Sequence, residues 1–262
     1  MAVKTETDYH SITELPGAGA SKEQIKRLYT RYRFAAPYCK SKDVLEVACG
    51  SGIGLGYLAQ TARRVVGGDI DDRNLGIAKG IYADDPKVAV DKMDAHALPW
   101  SEASFDVVLL YEAIYYLDAE RFVSEAFRVL RDGGVLIVCT VNRDWADFHP
   151  SPFSTRYFSV PELSAMLKEG GFGEVDFFGD SPVGDGGVSG SLLSLVKRAA
   201  VALNLIPRTL KGREVLKRLV FGRLEPMPAV IHDGMAPYEP PVSIPADRPC
   251  GAYKVFFVVA RK

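Results

Sequence analysis

Short apolar runs alternate with amphipathic segments along most of this chain. An apolar run bounded by turn residues is typical of a buried β-strand, whereas apolar residues at every third or fourth position are typical of a helix. The predicted strands comprise one that begins at Val44 and others over Arg64–Ile70, Lys87–Met93, Ser104–Leu110, Val135–Thr140, Phe172–Gly179 and Ala252–Ala260. Strands that alternate with helices in this way indicate an α/β fold with a mostly parallel sheet.

Capping residues mark where the predicted helices begin. Ser21, with Gln24 three positions later, predicts a capping box. The helix that follows is expected to end at Pro37, because proline lacks the N–H that a helix interior needs. Asp118 caps a further predicted helix, and another covers Pro161–Glu169.

The most informative motif is the glycine-rich stretch Val44–Gly56, in which glycines alternate with other residues after a predicted strand. Gly50 and Gly52 supply the backbone freedom that a close approach to a nucleotide-like ligand requires. A dinucleotide fingerprint would place its third glycine at position 55, where this chain has Leu55, and the acidic Glu46 precedes the glycines. The turn alone is also compatible with a tight strand-to-helix connection that binds nothing.

Two further acidic positions follow predicted strands. Asp69 lies 19 residues after Gly50, where a carboxylate can accept hydrogen bonds from ribose hydroxyls. We assign Asp69 to ribose and Asp71 to capping of the next helix, although Asp69 could itself belong to a helix start. Asp94 and Ala95 follow the third predicted strand and precede a Leu-Pro-Trp turn.

In their order and spacing, these motifs resemble those of the class I S-adenosylmethionine (AdoMet) methyltransferases, over residues 43–179 and the last strand. The resemblance implies a Rossmann-like sheet of seven strands in the order 3-2-1-4-5-7-6, with the last strand antiparallel and helices on both faces. It also implies that Glu46 orders the glycine loop and that Gly50 and Gly52 lie against the amino-acid end of AdoMet. Asp69 would then bind the ribose, Asp94 the adenine amine and the Ala95 N–H a ring nitrogen. The full predicted cofactor site is Glu46, Ala48, Gly50, Gly52, Asp69, Ile70, Asp94, Ala95, Tyr111 and Glu112.

Candidate catalytic residues follow the fourth and fifth predicted strands. Tyr115 and Tyr116 could orient a nucleophile or contact the sulfonium, or they could simply pack as aromatic side chains. A neutral tyrosine is a poor base near neutral pH, so His149 is the candidate general base. Tyr9, Tyr29, Tyr32 and Tyr115 are candidates for holding the cationic methyl donor against an aromatic face.

Composition narrows the class of protein further. The chain has 262 residues, 47% of them hydrophobic and 25% charged, with a net charge of −1, so no overall field attracts nucleic acid. Its four cysteines form no Cys-x-x-Cys pair, which argues against a disulfide scaffold or a metal site. We expect a cytoplasmic protein without a signal peptide or transmembrane segment.

The chain divides into three predicted parts. Residues 1–40 form a helical cap, residues 41–179 with 252–262 form the AdoMet-binding core, and residues 180–251 form an insertion. The insertion contains an apolar helical segment near residues 192–205, a basic one near 208–223 and a proline-rich end. It could serve as a lid, a homodimer surface, an attraction for an anionic or lipid-linked substrate, or a solvated basic face.

These observations predict a methyltransferase that uses AdoMet to methylate an oxygen or nitrogen of a small molecule. A sugar, a glycan or a lipid-linked intermediate is the candidate acceptor. A catalytically silent AdoMet-binding domain is the main alternative, and an NAD(P)-dependent oxidoreductase is disfavoured by the glycine spacing.

Overall fold

The computed structural model describes residues 8–151, 153–183 and 224–262. The described helices are α1 (Lys22–Cys39), α2 (Leu55–Ala59), α3 (Asp72–Ile81), α4 (Ala119–Val129) and α5 (Val160–Glu169), with 3-10 turns at Tyr9–Ile12 and Ile114–Tyr116. The described strands are β1 (Gly19–Ala20), β2 (Asp43–Val47), β3 (Arg64–Asp69), β4 (Val88–Lys92), β5 (Phe105–Tyr111), β6 (Leu130–Val141), β7 (Glu174–Pro182), β8 (Glu225–Pro226), β9 (Val242–Ile244) and β10 (Tyr253–Arg261).

The main sheet has the order β4-β3-β2-β5-β6-β10-β7-β9. Strands β4, β3, β2, β5 and β6 are parallel, and β10 pairs antiparallel with both β6 and β7. The expected order of seven strands, with the last one antiparallel, is therefore confirmed. The count is corrected, because β9 adds an eighth strand at the edge beside β7. Strands β1 and β8 form a separate two-stranded sheet.

Helix α1 begins as predicted but ends later. The Ser21 hydroxyl accepts the Gln24 N–H, and the Gln24 side chain accepts the Ser21 N–H, which completes the capping box. The prediction that Pro37 ends this helix is wrong, because the helix continues to Cys39. A proline in the last turn removes a single N–H, and burial of the Cys39 side chain stabilises the remaining residues.

Close packing joins α1 to the glycine loop. A Cβ at Gly54 would lie 1.9 Å from a ring carbon of the buried Tyr32 side chain in α1. Only a glycine can occupy this position without moving α1. The contact holds the face of α1 against the carboxyl end of β2, where the functional site lies.

Residues 224–239, here called the return segment, form hydrogen bonds with the glycine loop, α1 and α2. The Ile231 N–H donates to the Ile53 carbonyl of the glycine loop at 3.2 Å. Asp233 Oδ1 accepts hydrogen bonds from Tyr57 on α2 at 2.7 Å and from Tyr29 on α1 at 3.3 Å. The return segment is the described end of the predicted insertion, whose two helical stretches lie outside the described residues.

Candidate active site

A cavity of about 500 Å³ opens at the carboxyl ends of β2, β3, β4 and β5. Open α/β sheets bind ligands at such ends, near the point where the strand order reverses. Among the predicted site residues, those that line the cavity are Glu46, Ala48, Gly50, Asp69, Ile70, Asp94, Ala95, Tyr111, Glu112, Tyr115 and Tyr116. Gly52 and His149 do not line it.

The glycine loop turns sharply because several of its residues adopt left-handed backbone conformations. Gly50 has φ 58° and Gly52 has φ 75°, and Ala48 has φ 55° although it is not a glycine. A Cβ at Gly52 would lie 2.8 Å from the Cβ of Ala78, so this glycine allows the loop to pack against α3. Gly52 thus shapes the loop from behind, while Gly50 faces the cavity.

Asp69 connects the glycine loop to the start of α3. Its Oδ2 accepts the Gly50 N–H at 2.9 Å, and its Oδ1 accepts the Asp71 N–H at 2.9 Å. Burial raises the pKa of Asp69, and these two backbone hydrogen bonds oppose the rise. Asp71 caps α3 as predicted, since its side chain accepts the N–H groups of Arg73 and Asn74.

Glu46 is a buried carboxylate with one free oxygen. Its Oε1 accepts the Tyr32 hydroxyl at 2.6 Å, whereas its buried Oε2 has no hydrogen-bond partner. Burial raises the pKa of Glu46 to about 7, despite the Tyr32 hydrogen bond and the positive charge of Arg31, which lower it. A buried acceptor without a partner is costly, so Oε2 suits a ligand that brings a donor.

Two arginines of α1 line the cavity and were not predicted from the sequence. Arg31 forms a two-point ion pair with Glu14, at 2.9 and 3.0 Å, and its Nε is buried without a partner. Burial would lower the pKa of Arg31, but the carboxylates of Glu14 and Glu112 raise it, so the guanidinium stays charged. Arg27 lies one turn earlier and pairs with Glu112 at 2.9 Å. Arg27 and Arg31 are four positions apart and therefore share one face of the helix, which is the sequence signal that could have identified them.

His96 connects the adenine-side loop to the start of α4. The Asp118 N–H donates to His96 Nε2 at 3.0 Å, so Nε2 is unprotonated and Nδ1 carries the hydrogen. Nδ1 lies 2.8 Å from Asp94 Oδ1. His96 therefore orients Asp94, whose Oδ1 also accepts the His96 N–H at 2.9 Å.

The tyrosines beyond β5 form one side of the cavity. Tyr115 and Tyr116 are in edge contact, with ring centroids 4.5 Å apart, and Tyr115 stacks on Tyr157 at 4.6 Å. Burial raises the pKa of both Tyr115 and Tyr116, so both hydroxyls stay protonated at neutral pH. Tyr9 approaches Tyr116 edge-on at 6.3 Å and extends the aromatic surface.

Two predicted side chains lie elsewhere. His149 belongs to the loop after β6 and is not among the residues that line the cavity, so its role as a base stays a prediction. Tyr29 is also absent from the lining, because its hydroxyl donates to Asp233. The remaining aromatic candidates for the cationic donor, Tyr9, Tyr32 and Tyr115, do line the cavity.

A metal centre and a membrane-spanning helix were sought in the part of the chain that the structure describes. Within residues 8–151, 153–183 and 224–262, no three His, Cys, Asp or Glu side chains are grouped so that they could hold a metal ion. Within the same ranges, every helix is too short or too polar to cross a bilayer.

Part of this chain is similar to known proteins in sequence. Residues 45–138 match the family described as "Methyltransferase domain". The chain is 37% identical over 172 residues to a probable S-adenosylmethionine-dependent methyltransferase of Mycolicibacterium smegmatis, covering 63% of this chain and 65% of that protein. A relative with the same description from Mycobacterium tuberculosis H37Rv is 36% identical over 172 residues, which are 63% of this chain and 61% of the relative. The chain thus spans less than two thirds of the length of these relatives.

Similarity to solved structures extends over nearly the whole chain. The crystal structure of the [4+2]-cyclase SpnF superposes with a TM-score of 0.59 and 16% sequence identity, covering 97% of this chain and 91% of that one. At this identity the likeness establishes the fold alone. The family match over residues 45–138 and the sequence relatives agree that this part of the chain is similar to the class I S-adenosylmethionine-dependent methyltransferases, and the fold is consistent with that similarity.

Proposed function

We propose that this protein transfers a methyl group from AdoMet to an oxygen or nitrogen atom of a small molecule. The observation that carries the proposal is the convergence of matched polar groups on one cavity at the carboxyl ends of β2, β3 and β4. When bound, AdoMet supplies a methyl group attached to a positively charged sulfur. The sulfur leaves as a neutral thioether when the acceptor displaces it in line. The protein's task is to align this methyl group with the acceptor and to exclude water.

The free groups of the cavity fit the ends of AdoMet. Glu46 Oε2 is a buried acceptor without a partner, which suits the ammonium of the amino-acid portion. Arg31 is a buried, charged guanidinium with an unpartnered Nε, which suits the carboxylate of the same portion. Gly50, Glu46 and Arg31 all line the same cavity.

The adenosine portion would extend across the neighbouring strands. Asp69 keeps acceptor capacity for ribose hydroxyls after its two backbone hydrogen bonds. Asp94 and the Ala95 N–H would bind the adenine edge, and the half-exposed Ile70 would cover the ring. Tyr111, the last residue of β5, also lines the cavity.

The acceptor remains a proposal at the level of chemical class. A sugar, a glycan or a lipid-linked molecule could enter beside the tyrosines beyond β5, since aromatic faces bind both sugar rings and apolar chains. Dimerisation through residues 180–251 also remains a proposal.

Calorimetry with AdoMet and with NADH tests the cofactor. AdoMet should bind and NADH should not, and Asp69→Ala should weaken AdoMet roughly tenfold or more, because a charge-assisted hydrogen bond is lost. Gly52→Val should also weaken binding, by straining the loop. Asp72→Ala is the matched control, since this exposed carboxylate pairs with Lys92 outside the cavity and its loss should leave binding unchanged. Binding of NADH in place of AdoMet would refute the proposal.

Turnover separates an enzyme from a silent binding domain. Methyl-labelled AdoMet, incubated with panels of hydroxyl and amine acceptors, should yield a labelled product. AdoMet binding without any product across both panels would favour the silent domain.

A further inference from the structure

Glu112 has a strained backbone at the carboxyl end of β5. Its φ is 51°, a left-handed value that costs a non-glycine residue about 1–2 kcal/mol. Its N–H donates to the Cys139 carbonyl at 2.8 Å, which helps to hold this conformation. Strain of this kind is concentrated at functional sites, where the surrounding structure enforces it.

The carboxylate of Glu112 is fixed at both oxygens. Oε1 accepts from Arg27 Nη2 at 2.9 Å, and Oε2 accepts from the Tyr115 hydroxyl at 3.2 Å. The side chain is 17% exposed and lines the cavity. Each oxygen of a carboxylate can accept more than one hydrogen bond, so both oxygens can still receive a donor from a ligand.

The sheet order places Glu112 beyond the cofactor anchors. The groups proposed for adenine, ribose and the amino-acid portion follow β4, β3 and β2 respectively, and β5 is the next strand in the order. In AdoMet the sulfonium joins the ribose side to the amino-acid portion, so a ligand that runs across β4, β3 and β2 carries its sulfonium towards β2, the strand that pairs with β5. Glu112 is the carboxylate that lines the cavity at the carboxyl end of β5.

We infer that Glu112 faces the transferred methyl group and receives the proton of the acceptor, which is therefore a hydroxyl or an amine. This inference rests on the proposed function. Arg27 and Tyr115 act as positioning residues, because they orient the carboxylate.

The chemical step balances with these groups alone. A lone pair of the acceptor oxygen or nitrogen forms the new bond to the methyl carbon, and the S–CH₃ bond breaks with its electron pair remaining on sulfur. The positive charge thus moves from sulfur to the acceptor atom, whose O–H or N–H proton passes to Glu112 and then to solvent. A fixed carboxylate beside the acceptor atom stabilises the charge as it arrives there.

The competing assignment is that Glu112 binds the ammonium of the amino-acid portion. S-adenosylhomocysteine distinguishes the two, because it shares that portion, the ribose and the adenine with AdoMet but lacks the methyl group and the sulfonium charge. Calorimetry on Glu112→Gln should show AdoMet weakened roughly fivefold or more by the loss of one close charge, while S-adenosylhomocysteine changes by less than about twofold. Asp94→Asn is the matched control, since it should weaken both ligands equally.

A second variant, Arg27→Gln, tests the same charge effect with the opposite expected sign. It also replaces Glu112→Gln as the test if that variant fails to fold. Arg27→Gln keeps the carboxylate but removes its counter-charge, so the preference for AdoMet over S-adenosylhomocysteine should rise. Thermal unfolding of each variant verifies that it is folded.

Three results would overturn the inference. Equal weakening of both ligands by Glu112→Gln would assign Glu112 to the ammonium, and unchanged binding of both would show that it does not reach the methyl group. A labelled product methylated on carbon would contradict the inference that the acceptor is a hydroxyl or an amine. If neither ligand bound the wild-type protein, the proposed function itself would fail, which is a distinct outcome.

Discussion

The buried carboxylate of Glu46 should make the stability of the ligand-free protein fall as the pH rises. Its pKa is about 7 in the folded protein and 4.5 when unperturbed, so the folded state binds the proton more tightly. A group with a raised folded pKa contributes stability that is complete below its unfolded pKa and is lost as the pH passes its folded pKa. For Glu46 that loss spans the range from about pH 4.5 to about pH 7.

The magnitude follows from the two pKa values. Between about pH 5 and about pH 8, ionisation of Glu46 should lower the free energy of unfolding by about 2.5 kcal/mol, at about 1.4 kcal/mol for each unit of pKa difference. Glu46→Gln cannot ionise, yet its amide oxygen can still accept the Tyr32 hydroxyl. The variant should therefore lack this part of the pH dependence.

Urea unfolding of both proteins at these two pH values measures the effect. Other groups titrate in both proteins, so the informative quantity is the difference between the wild-type and Glu46→Gln changes in unfolding free energy. Asp91→Asn, which alters an exposed carboxylate on β4, should follow the wild-type profile. If the wild-type and Glu46→Gln profiles ran parallel within about 0.5 kcal/mol, the raised pKa of Glu46 would be refuted.

Other predictions concern packing, capping and the return segment, each measured as the free energy of unfolding in urea. Gly54→Ala should lower the free energy of unfolding by about 3 kcal/mol or more, because its Cβ would lie 1.9 Å from the buried Tyr32 ring. Gly76→Ala in α3, whose Cβ would have nothing within 4 Å, should raise it by up to about 1 kcal/mol. Equal effects of the two substitutions would refute the packing argument. Asp71→Ala should cost about 1 kcal/mol through loss of the α3 cap, and no change would contradict the capping assignment. Asp233→Ala should cost about 1–3 kcal/mol, since two tyrosine hydroxyls lose their acceptor, and a neutral result would show that water replaces it.

Local signals in the sequence were enough to predict much of the framework. Ser21 and Asp118 cap helices where predicted, because a cap depends on residues three positions apart. The glycine motif and Asp69 lie together at the site, since both follow parallel strands whose carboxyl ends share one edge. The order of seven strands was predicted only through family resemblance, because pairing between strands leaves no local signal.

Tertiary structure alone decided which distant side chains complete the site. Arg27 meets Glu112 across 85 positions, and the hydroxyl of Tyr29 meets Asp233 across 204. Such contacts depend on how α1 and the return segment pack on the sheet, and periodicity or capping cannot encode them. Tertiary packing also explains why α1 continues past Pro37, since burial of that helix outweighs the loss of one local hydrogen bond. The sequence by itself therefore determined the elements and the glycine and acidic motifs, and the packing of elements far apart in the chain determined which charged side chains line the cavity together.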